Sequence, residues 1–185
     1  MKTDVRKLTS MALMIALSVL LLYLVHFSIF PAAPYLEYDP ADIPIFICAF
    51  AYGPVAGLIV TIVASVVQGL TVSAQSGIIG IMMHIFATGS FALIAGLLYK
   101  RYRTRKGALL SLGAGVLVMV GTMVIWNLIF TPLYTGMPRQ AVVDMLLPII
   151  IPFNLIKAGG NALITFLLYK PISALLKRTH AMQSR

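Results

Sequence analysis

The sequence predicts an all-α integral membrane protein, a bundle of six transmembrane helices in which the second helix is short. One reason is composition: 60% of the 185 residues are hydrophobic and only 10% are charged, whereas soluble domains carry roughly 25% charged residues. The other reason is that long apolar runs recur along the whole chain. A helix of about 20 apolar residues crosses a bilayer, so these runs indicate membrane spans. A soluble enzyme is therefore excluded.

Six apolar runs define the predicted helices of a single membrane domain, 1–185. Five runs are long enough to cross a hydrocarbon layer of roughly 30 Å, but a helix over 43–52 spans only ~15 Å and is either short or re-entrant. The predicted helices are about 9–30, 43–52, 54–72, 78–99, 107–131 and 148–169.

The first three helices have recognisable boundaries. Basic residues precede the first run, as in a signal peptide, but the run is long and Pro34 follows the small residues that cleavage needs, so we predict an uncleaved span. Asp42 can cap the second helix, and Pro44 lies in its first turn. Gly53 and Pro54 end that helix and begin the third.

The basic residues lie almost entirely on one side of the predicted membrane. With the N-terminus inside, cytoplasmic segments hold 12 of the 14 Lys and Arg side chains, the outer loops hold Arg139, and Lys157 lies within the last span. Four of the five acidic residues fall in or beside the outer loops 28–42 and 131–147. The positive-inside rule therefore predicts a multi-pass protein of the cell membrane with both termini and residues 100–106 in the cytoplasm. The net charge of +9 reflects this topology, and nucleic acid is not a predicted partner.

Signatures of catalysis are missing from the sequence. It contains neither a P-loop nor an H-E-x-x-H pattern, and a single cysteine cannot form a disulfide or a paired-cysteine metal site. No carboxylate lies clearly within a predicted span, so a proton or sodium relay lacks a carrier. We expect a binding protein without catalytic residues, metal or cofactor. His84, deep in the fourth span, is expected to face the bundle and bond to a neighbour, with a ligand contact as the alternative.

Polar side chains within the spans indicate a binding site, because they are costly in hydrocarbon. Asn154, Lys157 and Asn161 are spaced i, i+3, i+7 and share one face of the last helix. Asn127 lies at a comparable depth near the outer end of the fifth helix. Amides both donate and accept hydrogen bonds, which suits a heterocycle with alternating carbonyls and ring nitrogens.

Lys157 allows two interpretations. Its ammonium group can line a polar pocket with the asparagines, or its long stem can extend to the outer interface. If Lys157 serves a ligand, its removal is expected to weaken binding and to stabilise the empty protein, since an intramembrane charge is costly.

The first outer loop, 28–42, together with the two residues after it, contains four prolines, two tyrosines and three acidic residues. Prolines restrict its conformations, so it can form a preordered lid whose tyrosines stack on a ligand. In the alternative, it is a solvated loop whose acidic residues lie outside because of the topology. Tyr38 and Asp39 are the candidate ligand contacts of the lid.

Five stretches spread over nearly the whole chain carry a resemblance to a known family: YLEYDPADIP, AYGPVAGLIV, YKRYRTRKG, WNLIFTPLY and LPIIIPFNLIKAG. Together they resemble the S components, the substrate-binding subunits, of energy-coupling factor vitamin transporters, in particular the riboflavin-binding subunits. The last two stretches are the most specific. One departure lies on the third helix, where such subunits often carry Lys-Asn and this chain has Ala64 and Ser65.

The resemblance implies a six-helix bundle that captures riboflavin from outside the cell and depends on an energy-coupling module of one membrane coupling subunit and two ATPases. It implies that Asn127, Asn154 and Lys157 hold the flavin, and that Ala12 and Ala16, four residues apart on the first helix, form the docking face for the coupling subunit. Two other functions are compatible with the sequence: an S component for another vitamin or for FMN, and a standalone small-molecule carrier.

Overall fold

The computed structural model describes residues 5–182, which are almost entirely helical. A 3-10 turn lies at Ala74–Ser76, a π-helical segment lies at Leu146–Ile150, and the first loop contains an antiparallel ribbon of two short strands. The helices and strands are α1 (Val5–Leu24), β1 (Phe27–Ser28), β2 (Glu37–Tyr38), α2 (Asp42–Tyr52), α3 (Pro54–Leu70), α4 (Gly77–Arg101), α5 (Arg105–Thr135), α6 (Arg139–Met145) and α7 (Ile151–Met182).

Four segments of the described chain are long and apolar enough to cross a membrane, which makes this a mostly helical, multi-pass membrane protein. They are Val5–Leu24, Ala74–Arg101, Arg105–Thr135 and Arg139–Ile172. The α2 and α3 helices are apolar but shorter, with 11 and 17 residues. Lys2, Asp4 and Arg185, which entered the predicted charge distribution, lie outside the described residues.

The first helix is displaced from the apolar run 9–30 that predicts it. It begins at Val5 and ends at Leu24, and the residues after it form β1, in which Phe27 pairs with Tyr38 of β2. Backbone N–H and C=O groups of β1 there form hydrogen bonds with β2 across the loop. Hydropathy does not reveal this pairing, because Phe27 of β1 continues the apolar run of the helix.

The second outer loop is more helical than predicted. The α5 helix continues through Pro132 to Thr135, where Gly136 ends it with a left-handed φ of +73°, a conformation that glycine adopts without strain. The α6 helix and the π-helical segment then fill 139–150. Hydropathy marks where a helix crosses hydrocarbon and not where it stops, since a helix can continue among polar groups at the interface.

The α2 helix lies at the centre of the fold. Residues 42–50 are all buried, and α2 packs against α1, α3, α4 and α7. The rings of Phe46 and Phe91 stack with centroids 3.6 Å apart. As predicted, Gly53 (φ +94°) separates α2 from α3 and Pro54 begins α3. Because α2 starts inside the bundle, the first loop must enter the bundle to reach it.

Candidate functional site

A cavity of about 190 Å³ lies between the first loop and the adjoining ends of α3, α4, α5 and α7. Loop residues between Tyr35 and Asp39 contribute to its lining, and polar side chains line two further walls. The polar residues of the α5/α7 wall are Asn127, Thr131, Asn154 and Lys157. Those of the α3/α4 wall are Ser65, Gln68, Ser73, Ser76 and His84.

Asn127 and Asn154 are buried amides on the α5/α7 wall, with 0% and 2% exposure. The side chain of Asn127 donates to the Met123 carbonyl at 2.8 Å and accepts from Thr131 at 2.8 Å. Asn154 Nδ2 donates to the Ile150 carbonyl at 2.8 Å, whereas its Oδ1 has no partner among the described residues. This oxygen is therefore available to accept a hydrogen bond from a ligand.

Lys157 is bound by the first loop. Its Nζ donates to Asp39 Oδ2 at 2.6 Å and to the Glu37 carbonyl at 3.2 Å, and the Lys157 and Asp39 side chains are only 14% and 9% exposed. The ammonium group does not extend to the interface, so the snorkelling alternative is wrong. The ion pair also reverses the predicted effect of removing Lys157 on the stability of the empty protein, because the loss of Lys157 would leave Asp39 buried without a counter-charge.

Asp42 joins three helices from a fully buried position. Its Oδ1 accepts from Thr88 Oγ1 at 2.8 Å and lies 3.1 Å from His84 Nε2, and its Oδ2 accepts from Asn161 Nδ2 at 3.3 Å. The predicted capping role is wrong: Asp42 is the first residue of α2, and the cap residue Ala41 makes no side-chain cap bond. The carboxylate instead links the start of α2 to α4 and α7.

Two carboxylates thus lie inside the bundle, contrary to the expectation that none does. Asp39 and Asp42 adjoin the outer loop in sequence, but the loop turns inward before α2 and buries both. The prediction that His84 faces the bundle and bonds to a neighbour is confirmed. One ring nitrogen lies 3.1 Å from Asp42 Oδ1 and the other lies 2.7 Å from Ser65 Oγ.

The first loop is a packed wall and not a solvated segment. Ala33 and Leu36 are buried in a cluster with Phe153 of α7. Near α2, the Ala41 carbonyl accepts from Ser18 Oγ of α1 at 2.7 Å. These contacts support the alternative in which the loop is preordered.

Tyr38 does not belong to the cavity lining. Its hydroxyl donates to Asn161 Oδ1 at 3.2 Å, and its ring packs on Phe27 with centroids 5.4 Å apart. Tyr35 lines the cavity instead, and its buried hydroxyl has no partner among the described residues. The sequence offers two loop tyrosines, but only the pairing of β1 with β2 decides which of them faces the cavity.

Sequence reasoning missed the α3/α4 wall, although a signal was present. Thr61, Ser65 and Gln68 recur at helical spacing in an apolar stretch, and all three are buried in the structure. They share one face of α3 for the same reason that Asn154 and Lys157 share one face of α7.

Ala12 and Ala16 lie away from the cavity. Both are exposed on α1, where they line a shallow apolar groove between α1 and α3 together with Val67 and Thr71. The structure therefore places the candidate docking residues and the cavity at separate sites.

Comparison with known proteins relates this chain to transport proteins. It is 32% identical over 151 residues to the riboflavin transporter RibU of Staphylococcus aureus (strain TCH60), a match that covers 78% of this chain and 79% of that protein. It is 28% identical over 182 residues to the riboflavin transporter RibU of Streptococcus thermophilus (strain ATCC BAA-250 / LMG 18311), covering 94% and 86%. It is 31% identical over 137 residues to the riboflavin transporter FmnP of Bacillus subtilis (strain 168), covering 69% and 72%.

The fold and a family match agree with these relatives. A solved chain described under "Structure and mechanism of the S component of a bacterial ECF transporter" superimposes with a TM-score of 0.79 at 31% identity, covering 95% of this chain and 99% of that chain. Residues 6–169 match the family described as "ECF transporter, substrate-specific component". The chain therefore belongs to the family of substrate-specific components of ECF transporters.

Proposed function

We propose that this protein is the riboflavin-binding subunit of an energy-coupling factor importer, a six-span membrane bundle that captures the vitamin from outside the cell. One combination of features carries the proposal: relatives named riboflavin transporters match most of the chain, and the cavity presents buried amides to a ligand. In this proposal the protein is not an enzyme, and energy for uptake comes from partner ATPases.

The α5/α7 wall has the chemistry to hold a flavin ring. The edge of the isoalloxazine ring alternates carbonyl oxygens with ring nitrogens, and Asn154 Oδ1 is free to accept from a ring N–H. Asn127 Nδ2 donates only one bond within the protein, which leaves a second N–H for a ring acceptor. Lys157 adds a charged donor that Asp39 holds in place. Met119 and Phe153 line the same cavity and supply apolar contact for the ring faces.

FMN is disfavoured as the substrate by the charges of the cavity. Of the charged side chains that line it, Glu37 and Asp39 are acidic, and Lys157 is already paired with Asp39. Arg139, the external candidate for a phosphate, is exposed on α6 and does not line the cavity. A phosphate would therefore meet net negative charge, whereas riboflavin is neutral.

The purified protein is expected to bind riboflavin more tightly than FMN, as measured by quenching of flavin fluorescence. Asn127→Ala and Asn154→Ala should each weaken riboflavin binding by about tenfold or more, because a lost hydrogen bond to a buried group is worth roughly 1–3 kcal/mol. Gln140→Ala is the control, since Gln140 is exposed on α6 and its side chain bonds only to Asp144 among the described residues. A wild-type protein that does not bind riboflavin would contradict the proposed function, and equal affinity for FMN would contradict the charge argument.

We further propose that both termini and residues 100–106 lie in the cytoplasm, which follows from the distribution of basic residues. In a background in which the buried Cys48 is replaced by alanine, Arg139→Cys should react with an impermeant thiol reagent added to whole cells. Arg103→Cys, at a position that is also exposed in the structure, should react only after the cells are opened. Labelling of Arg103→Cys from outside would rule out this orientation.

Ala12 and Ala16 are proposed to dock the membrane coupling subunit of the module. Ala12→Trp and Ala16→Trp should abolish ATP-dependent riboflavin uptake and leave binding unchanged, because a large ring on a close-packed face holds helices apart. Leu13→Trp is the control, since Leu13 is exposed on α1 outside the groove. Normal uptake by both alanine variants would place the docking face elsewhere, and uptake without any ATPase would favour a standalone carrier.

A further inference from the structure

Polar groups on the α3/α4 wall have no role in the proposed ring site. Gln68 is 5% exposed and lines the cavity. Its Nε2 donates to Ser18 Oγ at 2.9 Å, whereas its Oε1 has no partner among the described residues. Ser73 and Ser76 also line the cavity, and their hydroxyl groups make no hydrogen bond to the described residues. Three groups with unused hydrogen-bonding capacity therefore face the same space.

Helix packing and hydrogen bonds hold this wall in place. The α3 helix packs on α1, α2 and α4, and α4 packs on α5. Ser65 Oγ donates to the Thr61 carbonyl at 2.6 Å and contacts His84 Nδ1 at 2.7 Å, and His84 is in turn anchored on Asp42. Both ring nitrogens of His84 are thus engaged within the protein, so His84 positions the wall and leaves ligand contacts to its neighbours.

The two walls differ in the ligand groups that they can bind. The α5/α7 wall offers amides and an ammonium group, which suit the edge of a heterocycle. The α3/α4 wall offers two hydroxyl groups and one amide carbonyl. An alcohol donates one hydrogen bond and accepts others, so a polyol chain can pair with all three groups. A ligand that combines a flat heterocycle with a hydroxylated chain satisfies both walls at once.

We propose that Gln68, Ser73 and Ser76 form a subsite that binds the hydroxylated chain of the ligand while the α5/α7 wall binds its ring. This inference rests on the proposed function, because riboflavin joins an isoalloxazine ring to a polyhydroxylated ribityl chain. The subsite explains why a buried amide oxygen is left without a protein partner on a wall that the ring does not need.

Lumiflavin separates the subsite from the ring site, since it has the same ring with a methyl group in place of the ribityl chain. Binding of riboflavin and of lumiflavin is measured by fluorescence quenching for the wild type, Gln68→Leu, the double variant Ser73→Ala with Ser76→Ala, and Gln75→Leu. Gln75 is the matched control because it lies between Ser73 and Ser76 in the connection from α3 to α4, is exposed, and does not line the cavity.

Gln68→Leu and the double serine variant should weaken riboflavin binding by about tenfold, equivalent to about 1.4 kcal/mol, and change lumiflavin binding by less than about twofold. Gln75→Leu should change neither. Equal losses for both flavins would give Gln68 and the serines a structural role and overturn the subsite, as would unchanged riboflavin affinity in both test variants. A wild-type protein that binds neither flavin would overturn the riboflavin assignment itself, which distinguishes the two failures.

Discussion

Lys157→Met is expected to lower both the affinity for riboflavin and the thermal stability of the empty protein. The lysine ammonium group and the Asp39 carboxylate form a largely buried ion pair at 2.6 Å. Removing one member of such a pair leaves the other charge uncompensated, which destabilises by about 3–5 kcal/mol. Methionine keeps the apolar stem, so the loss is chiefly electrostatic. Thermal melting in detergent and flavin titration measure the two effects.

Adding Asp39→Asn to Lys157→Met should restore most of the stability without restoring the affinity. A buried pair replaced by neutral groups of similar size is often close to neutral in stability, whereas the charged donor to the flavin remains absent. Lys170→Met is the control, since Lys170 is exposed on the same helix. An unchanged melting temperature for Lys157→Met would show that the ion pair does not hold the loop. Wild-type affinity in the double variant would remove Lys157 from the ligand contacts.

Asp42→Leu is expected to destabilise the protein strongly, because two buried donors, Thr88 and Asn161, and the partly buried His84 converge on this carboxylate. His84, Thr88 and Asn161 would each lose an acceptor, and a buried polar group without a partner costs about 1–3 kcal/mol. The summed effect is comparable to the whole stability of many domains, so we expect a large fall in melting temperature or in the yield of folded protein.

The matched control for Asp42→Leu is Asp144→Leu. Asp144 is exposed on α6, and within residues 5–182 its side chain accepts from Gln140 alone, so this variant should melt like the wild type. Asp42→Asn should lie between the two, because an amide keeps one acceptor oxygen for Thr88 or Asn161. Equal melting temperatures for Asp42→Leu and Asp144→Leu would show that the carboxylate does not join the helices.

Local properties of the chain determined the class of protein and several of its details. The scarcity of charge indicated a helical membrane protein, because side chains in hydrocarbon must be apolar wherever the chain crosses it. Gly53 and Pro54 marked a helix boundary, since glycine, which lacks a Cβ, adopts a positive φ without strain and the proline ring fixes φ at a value that suits the start of a helix. The shared face of Asn154 and Lys157 followed from the helical period. Each of these features depends on residues within a few positions of one another.

The tertiary structure alone decided which contacts the polar residues of the site make between elements distant in sequence. Lys157 meets Asp39 across 118 positions, and Asn161 meets Asp42 across 119. The position of Asp39 and Asp42 in and beside the outer loop suggested that both lie outside the membrane. The short α2 helix starts within the bundle, however, so the loop turns inward and buries them. A carboxylate so placed is stable only beside donors from other helices. Whether those donors arrive depends on how the helices pack, which no local pattern contains.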